Sequence, residues 1–271
     1  MDLVTESISI MMYGDAIGYG TFTSLLQYYG QISDESVMGD AEIVYPTTYT
    51  VTGSGYYTIK AVGTGQNEII VIDWGDGTIN QYDNDSLRPY SHSYSSNGTY
   101  TITVLTNGTK LSISSDQIID PVKATSVVLG TDVWYFGELN SDRTTLTSIE
   151  FKNPDARINE DSPYQSFMGH TALVNVILPA RLSTIGHDTF NGATALPEIT
   201  IPATVTSIAT KAFKDCTSLA EVTVLATTPP TLAADAFDGC TALTAIYVPS
   251  DSVAAYQSAW SDYSSIIQAI S

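Results

Sequence analysis

Basic residues are scarce in this chain: 10 lysines and arginines stand against 29 aspartates and glutamates, for a formal charge of -19. Phosphate backbones and anionic bilayers repel such a surface, which argues against nucleic acid and membranes as partners. None of the basic residues precedes Lys60, so the N-terminus lacks the positive region of a secretory signal or transit peptide, and export by that route is not expected. No apolar run approaches the roughly 20 residues that cross a bilayer. Cysteine is equally sparse: Cys216 and Cys240 are too few for a disulfide framework or a four-ligand metal site. Charged residues of both signs make up only 14% of the chain, which leaves Ser, Thr, Asn, Gln and Tyr to cover most of the surface, as suits an extracellular or particle-bound protein.

What is present is a repeat. SFMGHTALVNVILP from Ser166, TFNGATALPEITIP from Thr189, AFKDCTSLAEVTVL from Ala212 and AFDGCTALTAIYVP from Ala236 align without gaps. Phe167, Phe190, Phe213 and Phe237 share one column, and Leu173, Leu196, Leu219 and Leu243 another, at spacings of 23, 23 and 24 residues. One unit cannot bury its Phe, Leu and Ile alone, but stacked units form a continuous core beside a ladder of short parallel strands. The units resemble the BspA-type leucine-rich repeats of bacterial surface proteins across Leu173 to Pro249. A looser copy places Leu146, Ile149 and Phe151 in the strand columns, with extra residues in the loop around Asn159 to Tyr164, and Val127 to Leu129 with Val133 supply a further, capping copy.

After Pro249 the period changes. Val253, Tyr256, Trp260, Tyr263, Ile266, Ile267 and Ile270 recur at three and four residues, with Ser250 or Asp251 placed to cap. This pattern predicts an amphipathic helix over residues 250–271 that closes the open end of the array.

Between about Tyr45 and Ser115 the runs TYTVTGSGYYTIKAV, NEIIVIDW and TYTITVL alternate β-branched and aromatic residues between Gly, Asn and Asp turns. That is the pattern of a small antiparallel sandwich. IDWGDGT from Ile72 followed by SHSYSSNGTYTITV from Ser91 is similar to the PKD-type sandwich domain, with Asp73, Trp74, Gly75, Asp76, Gly77, His92, Tyr94, Gly98, Tyr100 and Ile102 in the motif positions. Residues 1–44, rich in Gly, Tyr, Met and Ser, match neither family; they are a candidate attachment or oligomerisation segment, with a packed extension of the sandwich as the alternative.

Chemistry is harder to find. Asp73 and Asp76 supply two carboxylates where calcium needs six to eight oxygens, and Gly77 leads into TINQY rather than a lysine-bearing phosphate loop. Asp76-Gly77 between alternating strands reads instead as a hairpin turn with Trp74 facing the core, so Asp73 and Asp76 stay the only metal candidates of a loop read chiefly as a turn. Cys216 and Cys240 share a column with Ala193 and His170, which reads as free, inward-facing thiols. HExxH, GxSxG and Cys-x-x-Cys are all absent, and the repeat uses nearly every regular position for packing, so no enzyme, no catalytic residue and no cofactor is expected. Asn84, Asn97 and Asn107 head Asn-x-Ser/Thr triplets, a pattern that turns contain anyway.

Recognition is left to the surface. The insertion NEDSPYQS joins carboxylates to an aromatic, and Asn159, Glu160, Asp161 and Tyr164 are its candidate ligand-contacting residues, since repeat insertions tend to fall on one face. The expectation is a mainly β chain: an N-terminal segment (1–44), a PKD/Ig-like antiparallel β-sandwich (45–118), a BspA-type leucine-rich-repeat solenoid (119–249) and a C-terminal capping helix (250–271). Its expected function is non-enzymatic binding. Modules typical of surfaces, without an export signal, point to a bacteriophage head or tail fibre or decoration at the virion surface. Its partners would be other virion or surface proteins through the N-terminal segment and a host-surface glycan or protein, with a homo-oligomer allowed. A bacterial cell-surface adhesin and an accessory module of a carbohydrate-active protein are the alternatives.

Overall fold

The computed structural model describes residues 46–60, 62–63, 68–84, 89–106, 111–113, 124–130, 133–136, 143–158 and 167–270. The N-terminal half of these is built from β1 (Thr47–Lys60), β2 (Val62–Gly63), β3 (Glu68–Asp73), β4 (Ile79–Asn84), β5 (Pro89–Thr106) and β6 (Leu111–Ile113), followed by β7 (Ala124–Leu129) and β8 (Val133–Phe136). β1, β3, β4 and β5 pair antiparallel. Alternation sends Tyr49, Val51, Tyr57, Ile70, Ile72, Tyr90, Tyr94, Ile102 and Val104 into a common core, where each is at most 3% exposed, and turns the intervening residues outward.

The solenoid carries a major ladder of β9 (Ser148–Phe151), β11 (Asn175–Ile177), β13 (Glu198–Ile201), β15 (Glu221–Val224) and β17 (Ala245–Val248). A minor ladder holds β10 (Arg157–Ile158), β12 (Thr184–Ile185), β14 (Ser207–Ile208) and β16 (Thr231–Leu232). Pairing is parallel and in register within β9–β11, within β13–β15–β17 and within β12–β14–β16, as Ile199↔Val222↔Ile246 and Ile185↔Ile208↔Leu232 show, while β10 pairs with β8. Between the ladders Phe167, Phe190, Phe213 and Phe237 stack with centroids 5.2, 5.3 and 5.2 Å apart and planes within 10°. Burial of each such ring contributes roughly 1.5–3 kcal/mol. The backbone is tied rung to rung at the same place: the amides of Phe167, Phe190 and Phe213 donate to the carbonyls of Thr189, Ala212 and Ala236.

The column two residues after each phenylalanine is left-handed, at Gly169 (φ 71°), Gly192 (φ 76°), Asp215 (φ 56°) and Gly239 (φ 77°). Glycine costs nothing there, and Asp215 is the exception that carries a side chain through the turn.

The boundary expected at residue 119 runs through shared sheets. β7 pairs antiparallel with β1 on one side and parallel with β9 on the other, so the first sheet runs β11-β9-β7-β1-β5-β3-β4. A second sheet, β10-β8-β6-β2, crosses the same junction. Buried polar contacts lock it: the Gly130 amide donates to Thr47 Oγ1 at 2.9 Å and Asn153 Nδ2 to the Val133 carbonyl at 2.9 Å.

The C-terminal end differs from the expected single helix. Only Val253–Ala259, here α1, is α-helical; 3₁₀ turns at Ser250–Ser252 and Ser261–Ile266 flank it, and Ile267–Ala269 form β18, parallel to β17. The apolar period of Ile266, Ile267 and Ile270 reads as a helix, but the open edge of β17 offers backbone partners that a helix would leave unpaired. The N-cap of α1 is Ser252, and its hydroxyl does not cap the helix but donates to the Thr227 carbonyl at 2.7 Å. Tyr256 Oη donates to Ala226 O at 2.8 Å and Trp260 Nε1 to Pro230 O at 2.9 Å, so the cap satisfies carbonyls of the TTPP stretch, whose prolines bring no N–H of their own. Tyr263 closes the phenylalanine stack, edge-on to Phe237 at 5.6 Å.

Candidate functional site

The loop with most chemical groups, Asp73 to Thr78, is a hairpin turn joining β3 to β4. Its polar atoms are spent on its own backbone. Asp73 Oδ1 accepts from the Gly75 amide and Asp76 Oδ1 from the Thr78 amide, each at 2.9 Å, and the Trp74 amide donates to the Thr78 carbonyl at 2.9 Å. Gly75 has φ 77°, and a Cβ there would sit 2.5 Å from the Thr101 carbonyl oxygen, so the turn approaches β5 as only glycine allows. Asp76 Oδ2 lies 2.7 Å from His92 Nε2. Partial burial raises the Asp76 pKa, but the hydrogen bonds from His92 and Thr78 outweigh it and hold the carboxyl below its ordinary value.

The aromatics beneath the turn form one cluster. Trp74 is fully buried and stacks on His92 at 5.0 Å, His92 meets Tyr94 edge-on at 4.7 Å, and Tyr94 stacks on Tyr100 at 3.8 Å. Trp74 Nε1 donates to Asn80 Oδ1 at 2.8 Å, and Tyr94 Oη to the Trp74 carbonyl at 2.5 Å. His92 is thus held between a carboxylate and two rings. No group of three or more His, Cys, Asp and Glu side chains gathers around a common point among the described residues.

In the solenoid, Cys216 is buried and Cys240 half-buried, both as free thiols. Their Sγ atoms donate to the carbonyls of Phe190 and Phe213 at 3.1 and 3.0 Å. The hydrogen bond to Cys240, followed by burial, pushes the Cys216 thiol far above its usual pKa. His170 occupies the same column, is 3% exposed, and its Nδ1 has no hydrogen-bond partner among the described residues. Burial first, and the Arg143 charge after it, lower its pKa to about 4 despite hydrogen bonds to the backbone. Nothing in this column reaches a reacting group.

The exposed side of the major ladder is the most extended surface. Glu198 faces Glu221 and Thr200 faces Thr223 across β13 and β15, and Asn175 and Ile177 hold the equivalent repeat positions on β11. Val174, Ile177 and Leu225 are 46%, 46% and 43% exposed, so apolar groups and carboxylates alternate over it. Glu198 and Glu221 are in-register neighbours, a like-charge pairing that disfavours folding. The loop holding the sequence candidates Asn159, Glu160, Asp161 and Tyr164 lies outside the described residues. Sequence reading missed this ladder face because its outward positions follow no motif; their signal is the residue between the apolar strand columns.

Residues 141–267 match the family model of the BspA type leucine rich repeat region, in six copies. These residues form a region of BspA-type leucine-rich repeats. Among solved structures, a leucine rich cell surface protein from Faecalibacterium prausnitzii A2-165 is similar, at 23% identity and a TM-score of 0.40, over 46% of this chain and 32% of that one. The chain therefore spans about a third of that protein's length. No curated protein matches the chain. The virion-surface location expected from sequence is corrected: the protein found similar is described as a leucine rich cell surface protein. A BspA-type repeat region is consistent with a non-enzymatic protein.

Proposed function

We propose that this protein is a bacterial cell-surface adhesion protein that recognises a host-surface protein or glycan without catalysis. The observation that carries the reading is the six-copy repeat array, whose inward columns are all consumed by packing while its outward ladder face stays open to solvent. An extended face of this kind suits recognition, since each rung adds one row of side chains and none is needed for the core. The described wording of the Faecalibacterium protein, leucine rich and cell surface, supports the same placement.

In this reading the antiparallel module of β1 to β6 is a PKD-like sandwich. Support comes from the Trp74-Gly75-Asp76-Gly77 turn, the His92 contact to Asp76 and the Tyr94 bond to the Trp74 carbonyl, which join the motif residues into one structural unit. Residues 1–44 serve as the attachment segment to other surface proteins, and Asn159, Glu160, Asp161 and Tyr164 add ligand contacts.

Antibody labelling of intact, unpermeabilised bacteria tests the placement. Surface signal that disappears after external protease treatment is the expected result; signal seen only after permeabilisation contradicts it.

A further inference from the structure

The hairpin of β1 and β5 carries a surface unlike any other among the described residues. Both strands are long, Thr47–Lys60 and Pro89–Thr106, and their inward residues form the aromatic core described above. From Thr48 to Thr58 on β1 and from Ser91 to Thr101 on β5, the side chains turned outward are Ser, Thr, Asn or Tyr. The register sets them side by side: Thr52 opposite Thr99, Thr50 opposite Thr101, Tyr56 opposite Ser93 and Thr58 opposite Ser91.

Two features set this face apart from an ordinary solvated strand. The first is its neutrality. The chain carries a formal charge of -19, and the outward positions of the solenoid ladder include Glu150, Glu198 and Glu221. The outward residues of the hairpin stretch include no Asp, Glu, Lys or Arg, His92 within it is turned toward Asp76, and Asp73, register partner of Thr103, borders it at one end. The second is Tyr56, which is 75% exposed, against at most 46% for the other exposed large hydrophobic residues. Its position follows a bulge: the register shifts between Gly53 and Gly55, both with positive φ (126° and 101°). Such bulges re-aim side chains next to binding sites. Beneath it the sheet is rigid, because Tyr57 is fully buried, meets Tyr94 edge-on at 5.1 Å and donates from Oη to the Thr52 carbonyl at 3.1 Å.

We infer that this face binds a neutral polysaccharide, with Tyr56 as the stacking ring and the flanking hydroxyls as hydrogen-bonding partners. A pyranose presents C–H groups on one face, which the negative face of a phenol ring attracts. Its hydroxyls both donate and accept, as Ser and Thr hydroxyls do. An uncharged polymer also escapes the repulsion that the rest of this acidic molecule exerts on anions. The inference rests on the surface-binding reading above and names the ligand class for one of its faces.

The test is native affinity electrophoresis of the full chain in gels containing a soluble β-glucan, an α-mannan or a dextran, with polygalacturonate as the anionic control. Retardation is expected in at least one neutral polymer and not in polygalacturonate. Tyr56→Ala weakens it roughly tenfold, as loss of a central aromatic contact does, while Tyr56→Phe keeps it. Thr99→Glu, which charges the face without touching the core, weakens it as well. Tyr56 is exposed, so the melting temperature of the Ala variant stays at the parent value. Absence of retardation in all three neutral gels, or equal retardation of Tyr56→Ala and parent, overturns the inference. Surface labelling without polymer binding leaves the cell-surface reading standing, whereas polymer binding by a protein labelled only after permeabilisation removes that reading and keeps this one.

Discussion

In the solenoid each phenylalanine ring lies almost parallel to a copy of itself one rung away, whereas in the antiparallel module Trp74, His92, Tyr94, Tyr100 and Tyr57 meet in a mixture of stacked and edge-on contacts. The first arrangement repeats one solution, so each rung depends on its two neighbours. The second is assembled once, from residues far apart in sequence, and is fixed by polar handles: Trp74 Nε1 on Asn80, Tyr94 Oη on the Trp74 carbonyl, His92 on Asp76. Their outer faces differ in the same sense. The repeated module shows a row of alternating carboxylate and apolar groups, and the single-copy module an uncharged hydroxyl surface around one ring.

The comparison is broken most severely by opening the ring column. Phe213 is fully buried between Phe190 and Phe237, and Phe213→Ala is expected to cost about 3–5 kcal/mol. Urea unfolding followed by circular dichroism measures it, and hydrogen exchange then locates the loss in the adjacent rungs, with the β1–β5 amides still protected.

Acid reaches the solenoid through His170. Its folded pKa of about 4 lies below the ordinary histidine value of 6.5, so the unfolded chain binds a proton that the native one refuses. The stability this represents is complete above pH 6.5 and is lost as pH falls through about 4, a total of about 3 kcal/mol. His170→Ala, which copies Ala193 of the same column, flattens that part of the curve. Melting temperatures of parent and variant between pH 7 and pH 4 provide the check, and parallel curves would refute the assignment.

The smallest contrast concerns backbone sign. Asp215→Gly supplies the residue used elsewhere in its left-handed column and is expected to stabilise by about 1 kcal/mol. Gly75→Ala is expected to destabilise by about 2 kcal/mol or more, since positive φ and the 2.5 Å approach to the Thr101 carbonyl both oppose a Cβ. Chemical denaturation of the two variants should move in opposite directions.

The solenoid was legible in sequence because its constraint recurs: Phe, Leu and the strand columns return every rung, and a left-handed turn leaves Gly in three of its four places. The turn at Trp74 was legible because Asp-Gly has few alternatives between alternating strands. The strand at Ile267–Ala269 was not, since isoleucines three and four apart read as a helix, and the strand follows only from the open edge of β17. Neither were the sheets shared by β1 and β7 and by β6 and β8, which depend on pairings between distant segments that no local pattern encodes. The hydroxyl face falls between these cases. Alternating threonines in TYTVT and TYTIT are visible at once, and alternation from Tyr49 and Val51 sends Tyr57 inward and Tyr56 outward, but that these threonines lie side by side with Tyr56 follows only from the pairing of β1 with β5. The loop of Asn159 to Tyr164, read as a contact element from its length and composition, stands as a proposal.

Adhesion itself is the most direct measure of the central claim that this is a non-enzymatic recognition protein at a bacterial surface. Bacteria bearing the protein are allowed to attach to host cells in the presence of purified full-length chain, either parental or with Ile177→Asp and Leu225→Asp, which remove apolar groups from the ladder face. The account predicts that loss of the gene lowers attachment, that the parental chain competes, and that the double variant competes poorly at an unchanged melting temperature. Attachment that is indifferent to the gene and to the added protein would contradict it.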